Sequence, residues 1–378
     1  MGFRDELVGQ DEAIAVIEAA ASDPATLAHS WLITGPPGSG RSTLAYAFAG
    51  LLLSQGDAVD TERALEMVAS RTHPDLSVLA TDRVVITMEE VRQLVASSQF
   101  APSVAQWRVV IIEDADRMAE RTSNVLLKAL EEPPPSTVWI LCAPSEADLL
   151  PTIRSRVRSV RLRVPSVDDV ARLLVERDRV AADVAQRAAR EAQSHIGMAV
   201  RLATDEAARR RRDRTVEVAL AISTATDAVL AAAELLELAK EDAEAYGRQQ
   251  DDAERAALLR SLGVEEGGTI PAQLRTQVRQ LEEDQKRRAT RSLRDGVDRI
   301  LVDLLSVWRD VLLVRLGVGD ALVNREFERH VRRTAERTPP EDALAALDAI
   351  AEARHRIEGN VPPLLALEAM AMMFRGRR

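Results

Sequence analysis

Gly35-Pro36-Pro37-Gly38-Ser39-Gly40-Arg41-Ser42-Thr43 has the residue types and spacing that hold a polyphosphate. It meets the pattern G-x-x-x-x-G-K-[ST] at every defined position except one, where Arg41 replaces lysine. Glycines let backbone N–H groups converge on phosphate oxygens, and the start of a following helix favours negative charge. Gly35, Gly38, Gly40, Arg41, Ser42 and Thr43 are therefore the candidate nucleotide contacts, with Ser42 also a Mg²⁺ ligand. A P-loop lysine acts as a compact point charge, whereas arginine is a longer planar fork. The substitution predicts ATP and Mg²⁺ binding weaker than at a lysine P-loop, with negligible hydrolysis by the chain alone.

Further along, Val109-Val110-Ile111-Ile112-Glu113-Asp114-Ala115-Asp116 reads as a buried strand ending in acids. That is where P-loop enzymes keep a metal-binding acid and a residue that orients the attacking water. The usual order is aspartate then glutamate, and here Glu113 precedes Asp114. Glu113 is the expected metal ligand, and Asp114, one methylene shorter, is a weakened catalytic acid, because in-line hydrolysis depends on positioning.

The elements that must carry these groups follow a βα alternation. An apolar run, Trp31-Leu32-Ile33, leads into the P-loop as a strand, and Thr43–Ala49 leads out as a helix. Strands are expected at Ser30–Thr34, Asp75–Leu79, Arg108–Ile112, Thr137–Cys142 and Val160–Val164, several of them near-continuous apolar runs suited to a sheet covered on both faces. Residues 1–164 thus predict an α/β P-loop domain with a parallel sheet. From Pro165 to 214 the pattern gives two or three short helices, and 215–378 an all-α C-terminal domain. The last contains a charged stretch, Glu241–Arg299, interrupted at Gly263–Pro271. An apolar segment follows whose Val297, Ile300, Leu301, Leu304, Leu305, Trp308, Val311 and Leu312 recur at helical steps and need burial.

Composition sets outer limits. The 378 residues suffice for two or three domains, with 3% aromatic content and a helix-favouring bias. Cys142 is the single cysteine, so no disulfide can form within the chain, in keeping with a reducing cytoplasm. No run approaches the roughly 18 apolar residues of a membrane helix, and no cleavable signal is expected. A net charge of −10 argues against a broad DNA-binding face. The run Arg209-Arg210-Arg211-Arg212 reads chiefly as a solvated helix face, with phosphate contact the alternative.

The chain resembles the clamp-loader ATPases of the AAA+ class, and within them the delta-prime-like subunits. The resemblance is carried by Val8-Gly9-Gln10, His29-Ser30-Trp31-Leu32 before the P-loop, His73-Pro74-Asp75, Ile111–Met118, Asn124–Pro134, Thr152–Arg156 and Glu358–Glu368. It implies an AAA+ RecA-like sheet, a lid and a helical collar that assembles with sister subunits. It implies that Val8 and Gln10 lie beside the base. It also makes Arg156, in Thr-Ile-Arg-Ser-Arg, an arginine finger that enters the neighbouring subunit's ATP site in trans.

Several departures matter. Val157 stands where the family has cysteine. Residues 54–72 lack the four-cysteine zinc module, and His73 alone cannot hold zinc, so no zinc is expected. Gly197 occupies the lid position where motor subunits keep an arginine, and Arg201 lies one turn further on. Arg41, the Glu113/Asp114 order and Gly197 weaken one site while Arg156 is intact. That combination fits a subunit serving its neighbour's ATP site, with motor-ATPase and delta-like subunits, the sliding clamp and primed DNA as partners and no membrane. The alternatives are an active motor subunit of the same loader, or a free-standing P-loop small-molecule kinase.

Overall fold

The computed structural model describes residues 3–23, 27–54, 58–80, 85–261 and 275–375. The chain divides into two compact units, 1–204 and 205–378.

In the first unit, strands β1 (Ser30–Thr34), β2 (Leu76–Leu79), β3 (Arg108–Ile112), β4 (Thr137–Ala143) and β5 (Arg158–Arg161) form a parallel sheet in the order β2-β3-β4-β1-β5. β1, β3 and β4 are buried at every position, since helices cover both faces. Alternate residues face opposite ways. Trp31, Ile33, Val109 and Ile111 pack with Ile17 of the helix Asp11–Ser22 and Phe48 of the helix Arg41–Leu53. Leu32, Val110, Ile112 and Leu141 pack with Val91 of Met88–Ser98 and Leu126 of Glu120–Glu131. Because every strand is parallel, the loops after β1, β3 and β4 emerge at one edge, the carboxyl end where such sheets bind ligands.

Strand limits differ from the sequence expectation at two places. β2 starts at Leu76, because Asp75 turns its carboxylate onto the backbone N–H groups of Ser103, Val104 (2.8 Å) and Ala105 (2.9 Å). β5 spans Arg158–Arg161 and not Val160–Val164. Its register runs from Trp31↔Arg158 to Thr34↔Arg161, and after Leu162 N–H donates to Thr34 O (2.7 Å) the chain leaves the sheet. Val160 and Leu162 are buried, whereas Val164, past the paired length, is 60% exposed.

Helices Val167–Asp178, Ala182–Glu191 and Ile196–Thr204 complete the first unit, the first capped by Ser166 Oγ accepting from Asp169 N–H at 3.0 Å. The next helix, Glu206–Ala221, begins where Asp205 accepts the N–H groups of Ala207 and Ala208. It runs through the expected border at 214/215, so the division after Thr204 follows this cap.

The second unit is helical: Glu206–Ala221, Ala225–Ser261, Arg275–Arg315, Glu328–Arg337, Pro340–Glu358 and Pro363–Met373. Val297, Ile300, Leu301, Leu304, Trp308 and Val311 enter its core with Leu235, Leu367 and Phe374, while Leu305 and Leu312 lie half-buried against it. The interruption expected at Gly263–Pro271 lies outside the described residues. The arginine run is not a uniform solvated face. Arg212 is buried and donates to Asn324 Oδ1 (2.7 Å), and Arg211 reaches Asp242 Oδ1 (3.1 Å), whereas Arg210 forms an exposed i,i+4 pair with Glu206.

Candidate functional site

β1 delivers the chain into the P-loop, and Gly38 (φ +77°) and Gly40 (φ +95°) take left-handed backbone that side-chain-bearing residues resist. Gly40 then opens the helix Arg41–Leu53, so the first helical N–H groups face the loop. A Cβ at Gly38 would stand 2.3 Å from the His195 ring, and Ile196 N–H reaches Gly38 O at 3.4 Å. The lid is thus seated directly on the loop. At Gly197, where motor subunits of the resembled family keep arginine, an added Cβ would meet only the His195 ring, at 3.6 Å.

Arg41 curls back on the loop, its Nη1 donating to Gly35 O at 3.0 Å. Ser42 Oγ faces Glu113 Oε2 at 3.3 Å, which unites the hydroxyl and the acid expected to share a metal. A hydroxyl and a carboxylate are the hard oxygen ligands a Mg²⁺ ion takes, so these residues fit that ion. Glu113 also accepts from Tyr46 OH and from Arg71 Nη2 (2.8 Å) on its other oxygen. Burial, then the hydrogen bond to Glu113, raises the Tyr46 phenol well above its usual range and keeps it a donor.

Asp114 is held differently, 3.6 Å from Arg117. Asp116, absent from the sequence candidates, has a buried Oδ1 with no hydrogen-bond partner. Its carboxyl is pushed up by burial, with the Asp114 charge adding to the rise. Neither Arg71 nor Tyr46 was legible as a site residue, since Tyr46 lies on the helix Arg41–Leu53, Arg71 lies in the turn after the helix Ala58–Ala69, and no motif links them.

Gln10 is buried, and its side-chain amide is fully engaged by the Arg163 backbone. Its Nε2 donates to Arg163 O (2.8 Å) and its Oε1 accepts from Arg163 N–H (3.0 Å). It fastens the entering chain to the end of β5, while Val8 beside it is half-buried. A cavity of about 990 Å³ touches the P-loop at Gly35 and Pro36 and is lined by Thr34, Ser145, Arg154 and Arg161; neither Val8 nor Gln10 borders it.

Arg156 lies on the surface just beyond the short helix Pro151–Arg154. Its Nη1 donates to Thr152 O (2.6 Å) and to Ser155 Oγ (3.0 Å), and its Nη2 pairs with Glu131 at the end of Glu120–Glu131. The neighbouring arginines have other surroundings: Arg154 lines the cavity, and the Arg158 guanidinium lies 4.9 Å from the Trp31 ring centroid. Val157 packs half-buried on the core. Among the described residues no group of three or more His, Cys, Asp or Glu side chains could hold a metal ion, and no helix is long and apolar enough to cross a membrane.

A parallel sheet in this order, a P-loop after β1, acids after β3 and a helical lid on the loop define an α/β P-loop module of the AAA+ class. A family model described as DNA polymerase III, delta subunit, matches residues 9–166. Over that segment the chain is similar to subunits of DNA polymerase III. It is 37% identical over 135 residues to DNA polymerase III subunit delta' of Pseudomonas aeruginosa, covering 34% of this chain and 41% of that protein. It is 32% identical over 143 residues to the Escherichia coli subunit delta', covering 36% and 43%. Subunit gamma of Buchnera aphidicola is 28% identical over 176 residues, covering 46% and 48%. The chain thus spans less than half the length of each of these relatives.

Proposed function

We propose that this chain is a delta-prime-like clamp-loader subunit of DNA polymerase III. In this reading it helps place the sliding clamp on primed DNA and supplies Arg156 in trans to a neighbour's ATP site. It works in the cytoplasm beside motor-ATPase and delta-like subunits, through its helical second unit. One observation carries the reading: the chain's own phosphate site is internally partnered, whereas Arg156 lies at the surface. Arg41 is spent on Gly35 O, Glu113 on Tyr46 and Arg71, and His195 packs on Gly38. Arg156 holds Glu131 through Nη2 and Thr152 O and Ser155 Oγ through Nη1, all at the surface, and in this reading it exchanges Glu131 for a γ-phosphate.

Its own P-loop then binds MgATP weakly and hydrolyses it negligibly. The test is co-expression of this chain with the other loader subunits of its organism, followed by purification and a clamp-loading assay on primed DNA. Recovery in a stoichiometric complex that loses clamp loading without this chain is the expected result. A chain that stays monomeric and dispensable overturns the proposal.

A further inference from the structure

Arg71 stands at the end of the helix Ala58–Ala69 with φ +56°, in the left-handed region. Thr72 N–H reaches back to Met67 O (2.8 Å) and Arg71 N–H to Val68 O (3.0 Å). This is the bonding of a Schellman helix end, whose left-handed position glycine fills best. An arginine there gives up conformational ease for a side chain that reaches the P-loop site. Its Nη2 lies 2.8 Å from Glu113 Oε1, and its guanidinium carbon lies 5.7 Å from the Tyr46 ring centroid. Tyr46 OH donates to the same oxygen, while Glu113 Oε2 faces Ser42 Oγ at 3.3 Å.

We propose that Arg71 is a built-in counter-cation for Glu113, neutralising the carboxylate that would otherwise recruit a divalent metal beside Ser42. The geometry is specific. Arg71 and Tyr46 hold one carboxylate oxygen, and the other is turned toward the hydroxyl that fits Mg²⁺. With a unit positive charge at hydrogen-bond distance, Glu113 attracts a second cation poorly. A polyphosphate entering the loop would meet the fixed charge of Arg41 and a Glu113 carboxylate already neutralised by Arg71, so its binding would depend little on metal. The polyphosphate arm rests on the nucleotide reading above; the metal arm does not.

The experiment is a Mn²⁺ titration of the nucleotide-free full chain followed by electron paramagnetic resonance. Variants are Arg71→Gly, which also suits the left-handed backbone, Arg71→Lys, and Arg71→Gly combined with Glu113→Gln. Arg71→Gly is expected to bind Mn²⁺ about tenfold or more tighter than wild type, Arg71→Lys to stay near wild type, and the double variant to lose the gain. Equal Mn²⁺ affinity in wild type and Arg71→Gly, or a gain that survives Glu113→Gln, overturns the proposal. Thermal melts establish that each variant is folded.

A parallel ATP titration with and without Mg²⁺ separates the two readings. Chelation should change wild-type affinity by less than about threefold and that of Arg71→Gly by about tenfold. ATP binding whose dependence on Mg²⁺ is the same in both chains counts against Arg71. Absence of ATP binding in every chain, with the Mn²⁺ pattern intact, refutes the nucleotide site and supports the role of Arg71.

Discussion

Gly38→Ala tests the seat of the lid on the P-loop. Two costs can be worked from the structure. Alanine at φ +77° meets the left-handed penalty of about 1–2 kcal/mol. Its methyl would also stand 2.3 Å from the His195 ring, far inside the roughly 3.5–4.0 Å of a comfortable carbon contact. Relieving such an overlap by shifting the ring typically costs about 1–3 kcal/mol. The sum is about 2–5 kcal/mol. In a His195→Ala background the second cost disappears and only the backbone penalty remains, so the two substitutions should couple by about 1–3 kcal/mol in a double-mutant cycle. Urea unfolding of the four full-length chains, followed by tryptophan fluorescence, measures this. A Gly38→Ala cost that is the same with and without the His195 ring would refute the packing of the lid on the loop.

Other predictions concern charge and reactivity. Arg41→Lys should tighten MgATP binding about tenfold by isothermal titration, because the bond from Arg41 Nη1 to Gly35 O is lost and a compact ammonium takes its place at the phosphates. Asp75→Asn should cost about 3 kcal/mol in urea unfolding, since it removes a buried charge that serves three backbone donors and faces Arg108 at 3.5 Å. Burial pushes the Asp75 carboxyl up, but the N–H groups of Ala105, Ser103 and Val104 and the Arg108 charge outweigh it, leaving the folded pKa below 3.8. This stabilisation is complete above the unfolded value and fades as pH falls through the depressed folded one, so the gap between wild type and Asp75→Asn should close only in strong acid. Cys142 is buried with its thiol pushed up to about 12, and iodoacetamide at pH 8 should label it only after unfolding.

The sheet and the P-loop were legible because each is written in a local pattern. β1, β3 and β4 are apolar runs, and Gly38 and Gly40 announce the left-handed turns that precede a helix. The division after Thr204 falls at Asp205, a capping residue whose role shows only once the N–H groups of Ala207 and Ala208 are in place. What sequence could not supply is pairing across the fold. Tyr46, Arg71 and Glu113 come from different elements, and Arg71 sits where the helix-end geometry favours glycine. Gln10 shows the same limit. The resemblance implies a place beside the base for it; the pairing of its amide with the Arg163 backbone is a long-range contact with no local signature. Arg212 likewise looked solvated in a run of four and is buried, because its partners Asn324 and Asp303 lie far along the chain.

The proposed trans role of Arg156 is tested most directly by ATP hydrolysis in the reconstituted loader carrying Arg156→Ala in this chain. The pair with Glu131 is partly exposed, so its loss should cost no more than about 1 kcal/mol of stability and leave assembly intact. Turnover at the neighbouring site should fall on the order of 10³-fold, the scale of a lost arginine finger. Arg154→Ala and Arg158→Ala, whose side chains line a cavity and stack on Trp31, should change it little, as should Arg41→Ala. Equal and small effects from Arg154, Arg156 and Arg158 would contradict the account.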